Sequence, residues 1–154
     1  MDKYITSSNK EDWGTPQWLF EELDGEFHFD LDPCADSKNH KCNLYYTKEQ
    51  DGLKKDWQGH TVFCNPPYGR KKTAVWMKKC AEEAKKPGTK VVMLVPARTD
   101  TIAFHEYVWN KAEIRFLKGR LKFEVDGKEH KDPAPFPSMV VIFRPEVRIN
   151  ESNL

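Results

Sequence analysis

The hydrophobic positions of this chain form short continuous runs that are separated by polar segments with helical periodicity. Lys90 to Val95 and Met139 to Phe143 are almost wholly apolar, and Thr61 to Cys64 is a shorter run of the same kind. Runs of this length between turn residues are typical of strands that are buried on both faces. The pattern therefore predicts three buried strands, with Lys90 to Val95 in the centre of a sheet.

Helical segments lie between the predicted strands. Thr15-Pro16 is typical of an N-cap followed by proline at the first helical position, which predicts a helix through Leu23 that ends before Gly25. Further helices are predicted from Thr73 to Lys85 and from Thr101 to Asn110. Weaker patterns predict short strands at 27–32, 44–46, 114–117 and 121–125, the last followed by a turn at Asp126-Gly127.

This order of elements predicts an α/β fold with a mostly parallel sheet and an antiparallel edge hairpin. At 154 residues, with 38% hydrophobic and 12% aromatic residues, the chain fits one domain of residues 1–154 with a polar tail at 145–154. The longest apolar runs have strand length and the N-terminus is polar. We therefore expect no membrane segment and a cytoplasmic protein.

Net charge and cysteine content exclude few classes of function. A formal net charge of +1 by itself predicts no nucleic-acid binding, although basic residues cluster at 70–72 and at 115–122. The four cysteines lack a Cys-x-x-Cys spacing and are expected to be reduced thiols. We expect no metal site, because the histidines near these cysteines are scattered.

The most informative motif is Asn65-Pro66-Pro67-Tyr68, which directly follows the predicted strand at 61–64. An aromatic amino group such as N6 of adenine is a poor nucleophile, because its lone pair is delocalised into the ring. The Asn65 side-chain oxygen and the Pro66 carbonyl can each accept one N–H of such an amine. The two prolines stiffen the loop, and Tyr68 can offer a flat face to a base taken out of the stack. Asn-Pro-Pro is also an ordinary loop sequence, but its position after a strand favours a ligand site.

The tetrapeptide resembles the catalytic motif of the amino-group DNA methyltransferases, and the chain is similar to the small phage-type DNA N6-adenine methyltransferases. Five landmarks carry this resemblance in one order over residues 12–145. They are Trp13-Gly14-Thr15-Pro16; Asp30-Leu31-Asp32-Pro33-Cys34-Ala35; Asp51-Gly52-Leu53 with Asp56-Trp57; Val62-Phe63-Cys64 before the tetrapeptide; and Gly119-Arg120-Leu121-Lys122-Phe123 with Pro135-Phe136-Pro137-Ser138. The resemblance implies a Rossmann-like fold, S-adenosylmethionine as cofactor and site-specific methyl transfer to N6 of a flipped adenine in double-stranded DNA.

The resemblance also implies a cofactor site. It places Asp32 near the methionine ammonium, Thr15 at the methionine end and Asp56 at the adenine amino group, and it leaves the ribose partner open, with Asp51 as one choice. The chain has no Gly-x-Gly-x-x-Gly, which argues against NAD or FAD and leaves S-adenosylmethionine open. The residues expected to bind the cofactor are Trp13, Thr15, Pro16, Asp32, Pro33, Cys34 and Asp56.

Basic residues beside the tetrapeptide are expected to contact DNA phosphates, and residues 124–137 are expected to form a target-recognition hairpin. Two alternatives stay open: methylation at N4 of cytosine, and a catalytically silent DNA-binding module of the same fold. The recognition sequence and the choice between monomer and homodimer also stay open. The residues expected to contact DNA are Arg70, Lys71, Lys72, Arg120, Lys122 and Phe136.

Overall fold

A four-stranded sheet forms the centre of the computed structural model, which describes residues 13–144. The predicted polar tail at 145–154 lies outside these residues. The strands of the described residues are β1 (Thr61–Cys64), β2 (Lys90–Pro96), β3 (Glu113–Phe116), β4 (Glu124–Val125), β5 (Lys128–Glu129) and β6 (Ser138–Phe143). The central sheet has the order β1-β2-β6-β3, and β4 and β5 lie outside it.

The directions of the strands confirm the α/β class and correct one detail. β1 pairs with β2 in parallel, whereas β6 is antiparallel to both β2 and β3. β1, β2 and β3 therefore run in one direction and β6 runs against them. The antiparallel position of β6 inside the sheet was not predicted, whereas β2 is central and buried as predicted.

Isolated bridges extend the parallel side of the sheet beyond β1. Leu31 pairs with Val62, and Asp32 pairs with Tyr45, both in parallel. The predicted strands at 27–32 and 44–46 are thus reduced to these bridges. The first of them is shortened because the preceding helix continues through Phe27. The bridges nevertheless bring the end of the Leu31-Asp32 segment to the same sheet edge as the end of β1.

Helix α1 (Gln17–Phe27) packs one face on the sheet through Leu19, Phe20, Leu23 and Phe27. Two predictions about its ends were wrong. The N-cap is Pro16 rather than Thr15, whose hydroxyl instead accepts a hydrogen bond from Asn65. The helix does not end before Gly25. It ends where His28 takes a left-handed conformation (φ 59°) and its N–H bonds to the Asp24 carbonyl at 2.8 Å.

Two more helical segments flank the sheet. Helix α2 (Arg70–Glu83) starts directly after the tetrapeptide, three residues earlier than predicted, and buries Trp76, Met77 and Cys80. The segment predicted as a helix at 101–110 is helical over 102–108, with a π-helical turn at Phe104–Val108. No helix of the described residues is long and apolar enough to cross a membrane.

β4 and β5 form the predicted hairpin as a separate two-stranded sheet. Asp126 (φ 54°) and Gly127 (φ 78°) form its two-residue turn, in which both φ values are positive as in type I′ turns. Gly14 exchanges two backbone hydrogen bonds with Glu124, at 2.9 and 2.7 Å. The base of the hairpin is therefore fixed to the segment that precedes α1.

Candidate active site

The landmark segments converge at one edge of the sheet because of the strand directions. Asp32 and Asn65 follow neighbouring parallel segments, and such carboxyl ends share an edge. Pro96, at the end of β2, pairs with Ser138 at the start of β6, so residues 135–138 lie at this edge too. The antiparallel β6 thus contributes its amino end to the edge where the parallel strands contribute their carboxyl ends.

An open cleft of about 810 Å³ lies at this edge. It brings together residues predicted for the catalytic loop and for the cofactor, although they are far apart in the sequence. The predicted residues that line it are Trp13, Thr15, Asp32, Pro33, Cys34, Asn65, Pro66, Pro67 and Lys72. The predicted residues outside its lining are Pro16, Asp56, Tyr68, Arg70, Lys71, Arg120, Lys122 and Phe136.

The side-chain amide of Asn65 is held in a fixed orientation. Its Nδ2 donates to the Trp13 carbonyl and to Thr15 Oγ1, the latter at 2.9 Å. A carbonyl can only accept, so the atom that faces Trp13 has to be the nitrogen. Asn65 Oδ1 is consequently turned away from both groups, and it is buried with no hydrogen-bond partner among residues 13–144. An unpaired buried acceptor costs about 1–3 kcal/mol, so a functional reason is expected for it.

Asp32 supplies a buried carboxylate to the wall of the cleft. It is 4% exposed and accepts backbone N–H groups from Lys41 at 2.9 Å and Cys34 at 3.4 Å. Burial raises its pKa to about 6, against the lowering effect of these two hydrogen bonds. Within the described part of the chain it forms no ion pair. A cationic ligand in the cleft would supply the missing charge partner.

Asp51 and Gly52 also line the cleft, next to the Pro33 segment. Asp51 has φ 60°, and its carboxylate accepts the Leu53 N–H at 3.2 Å. A Cβ on Gly52 would lie 2.1 Å from the Pro33 carbonyl oxygen, so glycine alone permits the close contact between these two backbone segments.

Gly52→Ala is expected to lower the free energy of unfolding by about 2–4 kcal/mol, because the Pro33 and Gly52 segments must separate. Gly25→Ala is the matched control. Gly25 lies within α1 with nothing within 4 Å of an added Cβ, so alanine is expected to stabilise by about 0.5–1 kcal/mol. Urea denaturation of both variants measures the free energies of unfolding. Equal effects of the two substitutions would contradict the close contact between Gly52 and Pro33.

Asp56, expected at the adenine amino group of the cofactor, is not brought to the cleft. Its side chain is 69% exposed and pairs with Lys86 Nζ at 2.9 Å. The next residue explains this position: the buried Trp57 donates its backbone N–H to Glu83 and its indole N–H to the Gly52 carbonyl. These bonds direct Asp56 toward the end of α2.

Tyr68 has no free face in this conformation. It is 5% exposed, its hydroxyl donates to the Leu94 carbonyl at 3.0 Å, and burial raises its pKa well above the ordinary value. Trp13 lies nearly parallel to its ring at 6.4 Å, and Phe136 meets it edge-on at 5.6 Å. Phe136, expected beside an extruded base, is thus part of a buried aromatic cluster with Trp13, Tyr68 and Phe123.

Basic side chains occupy the first turn of α2. Arg70, Lys71 and Lys72 are exposed, and no acidic residue accompanies them in this turn. Cations at the positive end of a helix are unfavourable by about 0.3–1 kcal/mol each, unless an anion binds there. This arrangement directly after the tetrapeptide suits phosphate groups at Arg70 and Lys71.

The family model for DNA N-6-adenine-methyltransferase (Dam) matches residues 3–152. The chain belongs to this family. Two phage proteins named DNA N-6-adenine-methyltransferase are similar to it. The protein of Haemophilus phage HP1 (strain HP1c1) is 34% identical over 143 residues, which cover 90% of this chain and 82% of that protein. The protein of Escherichia phage T1 is 33% identical over 120 residues, which cover 77% of this chain and 49% of that protein, so the match spans about half of the T1 relative.

Several cleft residues of this DNA N-6-adenine-methyltransferase family member were missed in the sequence. Phe63 and Trp76 give the cleft apolar wall, but their strand and helix periodicity predicts core positions. Gly52 belongs to the motif Asp51-Gly52-Leu53, but a glycine after an aspartate predicts a turn rather than a position in a cleft wall. Lys41 has no sequence signal, since its backbone N–H is the group that binds Asp32.

Proposed function

We propose that this chain transfers a methyl group from S-adenosylmethionine to N6 of an adenine in double-stranded DNA. The observation that carries the proposal is the unpaired, buried Oδ1 of Asn65, a residue that lines the cleft at the end of β1. An exocyclic amine can donate one N–H to this oxygen and the other to the Pro66 carbonyl. Family membership and the names of the two phage relatives support adenine as the base.

The cleft has the groups that S-adenosylmethionine requires. Asp32 would pair with the ammonium group and Asp51 with the ribose hydroxyls, while Phe63 and Trp76 offer apolar surface to the adenine ring. When bound, the cofactor supplies an electrophilic methyl group on a positively charged sulfur. We also propose that the parallel β1–β2 pair with its bridges at Leu31 and Asp32 is part of a Rossmann-like methyltransferase sheet.

Asn65 and Pro66 would activate the amine by position. Two acceptors that take both N–H groups draw the nitrogen toward tetrahedral geometry and direct its lone pair away from the ring. Methyl transfer would form an N–C bond and break the S–C bond of the cofactor, and the extra proton on nitrogen would leave to solvent. No cysteine nucleophile is needed, and burial raises the pKa of Cys64 well above its ordinary value, which keeps it a thiol.

Entry of the base requires a local rearrangement, because Trp13 covers Tyr68. We propose that the flipped adenine displaces the Trp13 ring and stacks on Tyr68. The exposed cations Arg70, Lys71 and Lys72 would hold the phosphates beside it, and the 124–137 hairpin would contact neighbouring bases. The phage relatives suggest action on DNA in the cytoplasm of a bacterial host.

Transfer of label from methyl-labelled S-adenosylmethionine tests the proposal. The protein is incubated with unmethylated duplex DNA that contains all short sequence contexts, with an RNA duplex of the same sequence as control. We expect label in DNA and none in RNA. Cofactor binding without transfer to any DNA would instead support the catalytically silent module.

Binding of S-adenosylmethionine is expected to strengthen as the pH rises through about 6, because protonated Asp32 cannot pair with a cation. About a tenth of Asp32 is charged at pH 5 and about nine-tenths at pH 7, which predicts a roughly tenfold lower Kd at pH 7. Asp32→Asn should bind more weakly and lose this pH dependence. Calorimetric titration at pH 5 and pH 7 measures the Kd of both proteins. The same change of Kd with pH in the wild type and in Asp32→Asn would exclude Asp32 as the charge partner.

Without cofactor, the raised pKa of Asp32 predicts that the stability of the protein falls as the pH rises. The folded-state pKa of Asp32 lies above its ordinary value of 3.8, so its contribution to stability is present at low pH and is lost as the pH rises through about 6. In urea denaturation, the free energy of unfolding of the wild type, relative to that of Asp32→Asn, should fall by about 2 kcal/mol between pH 4 and 7.

A further inference from the structure

A second cavity, of about 460 Å³, lies between α1, residues 117–122 and β5. Trp18, Leu117 and Leu121 supply apolar surface to it, and Trp18 is 54% exposed on α1. A large aromatic side chain that stays exposed beside other apolar groups is a feature of contact surfaces rather than of ordinary surface.

The rim of this cavity carries Lys118, Arg120 and Lys122 at alternating positions of one segment. All three are exposed, whereas Leu121 and Phe123 are buried, so the segment directs its charges outward. None of the three cations forms an ion pair with a residue in the range 13–144. They outnumber the two carboxylates of the lining, Glu22 and Glu129.

The cavity adjoins the active-site cleft. Gly14 lines the cleft and pairs with Glu124, and Glu124 pairs with Glu129, which lines the second cavity. Two strand spacings, about 10 Å, therefore separate the two sites at this point. This distance corresponds to about three nucleotides along one DNA strand.

We propose that the second cavity binds the sugar–phosphate backbone of DNA a few nucleotides from the target adenine. Trp18 packs against a deoxyribose, and the three rim cations contact phosphates. The inference rests on the proposed function and adds Trp18 and Lys118 to the predicted DNA contacts. It assigns this surface to backbone contact rather than to base recognition, because an apolar wall with unpaired cations fits sugar and phosphate.

The test compares Trp18→Ala and the triple variant Lys118→Ala/Arg120→Ala/Lys122→Ala with the wild type. Duplex affinity is measured by fluorescence anisotropy over a range of salt concentrations. Trp18→Ala is expected to weaken binding about tenfold, and equally on duplexes of unrelated sequence, because it removes an apolar contact with a sugar rather than with a base. The triple variant should have a slope of log Kd against log salt that is shallower by about 2 to 3. The Kd for S-adenosylmethionine should stay unchanged in both.

Trp109→Ala and Lys85→Ala are the matched controls, since Trp109 is 51% exposed, Lys85 is also exposed, and neither residue lines the cavity. The cavity assignment would be overturned if Trp18→Ala and the triple variant had the same DNA affinity and salt slope as these controls. If the wild type still methylates DNA, this result would leave the proposed function intact. A changed sedimentation mass with unchanged DNA affinity would also overturn it, in favour of a subunit interface. A wild type that does not methylate DNA would contradict the proposed function and this inference together.

Discussion

Asn65→Ala is expected to lower the single-turnover rate of methyl transfer at least about a hundredfold while leaving the Kd for S-adenosylmethionine within about threefold. The substitution removes Oδ1, the buried acceptor that would take an N–H of the target amine. It leaves in place Asp32, which we propose as the charge partner of the cofactor. The transfer rate therefore reports activation of the amine, and the Kd reports binding of the cofactor. Single-turnover conditions keep product release from limiting the measured rate.

The control for Asn65→Ala is Asn39→Ala, because Asn39 lines the same cleft and its side-chain oxygen already accepts the Asp36 N–H at 2.9 Å. Asn39→Ala should leave the rate of the methyl-transfer step within a few fold of the wild type. A hundredfold loss of cofactor affinity in Asn65→Ala, with the transfer rate preserved at saturation, would show that Asn65 binds the cofactor rather than the base.

Thr15→Val is expected to lower the transfer rate about tenfold to a hundredfold with little change in the Kd for S-adenosylmethionine, because Thr15 Oγ1 holds one Nδ2 proton of Asn65. Valine has the same shape but no acceptor. Without this acceptor, Nδ2 of Asn65 keeps only its hydrogen bond to the Trp13 carbonyl, so the amide is held less firmly and Oδ1 is directed less precisely at the amine. Stopped-flow transfer and equilibrium binding measure the two effects.

Thr15→Ser is the matched control for Thr15→Val, since it keeps the hydroxyl, and it should restore most of the rate. This result would make Thr15 a positioning residue for Asn65. The resemblance to other methyltransferases implies a different role, in which Thr15 lines the methionine end of the cofactor. A raised Kd for S-adenosylmethionine in Thr15→Val, with the transfer rate unchanged, would support that role instead.

The hydrophobic pattern predicted the fold elements that are buried and continuous. β2 and β6 are nearly as predicted, because uninterrupted apolar runs have few other stable environments than the middle of a sheet. The position of β6 between β2 and β3 could not be predicted, since a strand buried on both faces has the same composition in either direction. The end of α1 was missed because the stop comes from the left-handed His28 rather than from Gly25.

The candidate site was predictable where the chemistry depends on residue type, and less so where it depends on packing. Asn65 and Asp32 line one cleft, as the motif and the resemblance implied. Asp56 is directed elsewhere by the two hydrogen bonds of Trp57, and Tyr68 is covered by Trp13, which approaches from a distant part of the sequence. Neither effect has a local sequence signal, because both depend on tertiary contacts.

Identification of the methylated nucleoside tests adenine-N6 methylation by this protein most directly. DNA that has been incubated with the protein and methyl-labelled S-adenosylmethionine is digested to nucleosides and separated, with Asn65→Ala in parallel. We expect label on N6-methyladenine from the wild type and none above background from the variant. Label on N4-methylcytosine, or equal label on N6-methyladenine from both proteins, would contradict this expectation.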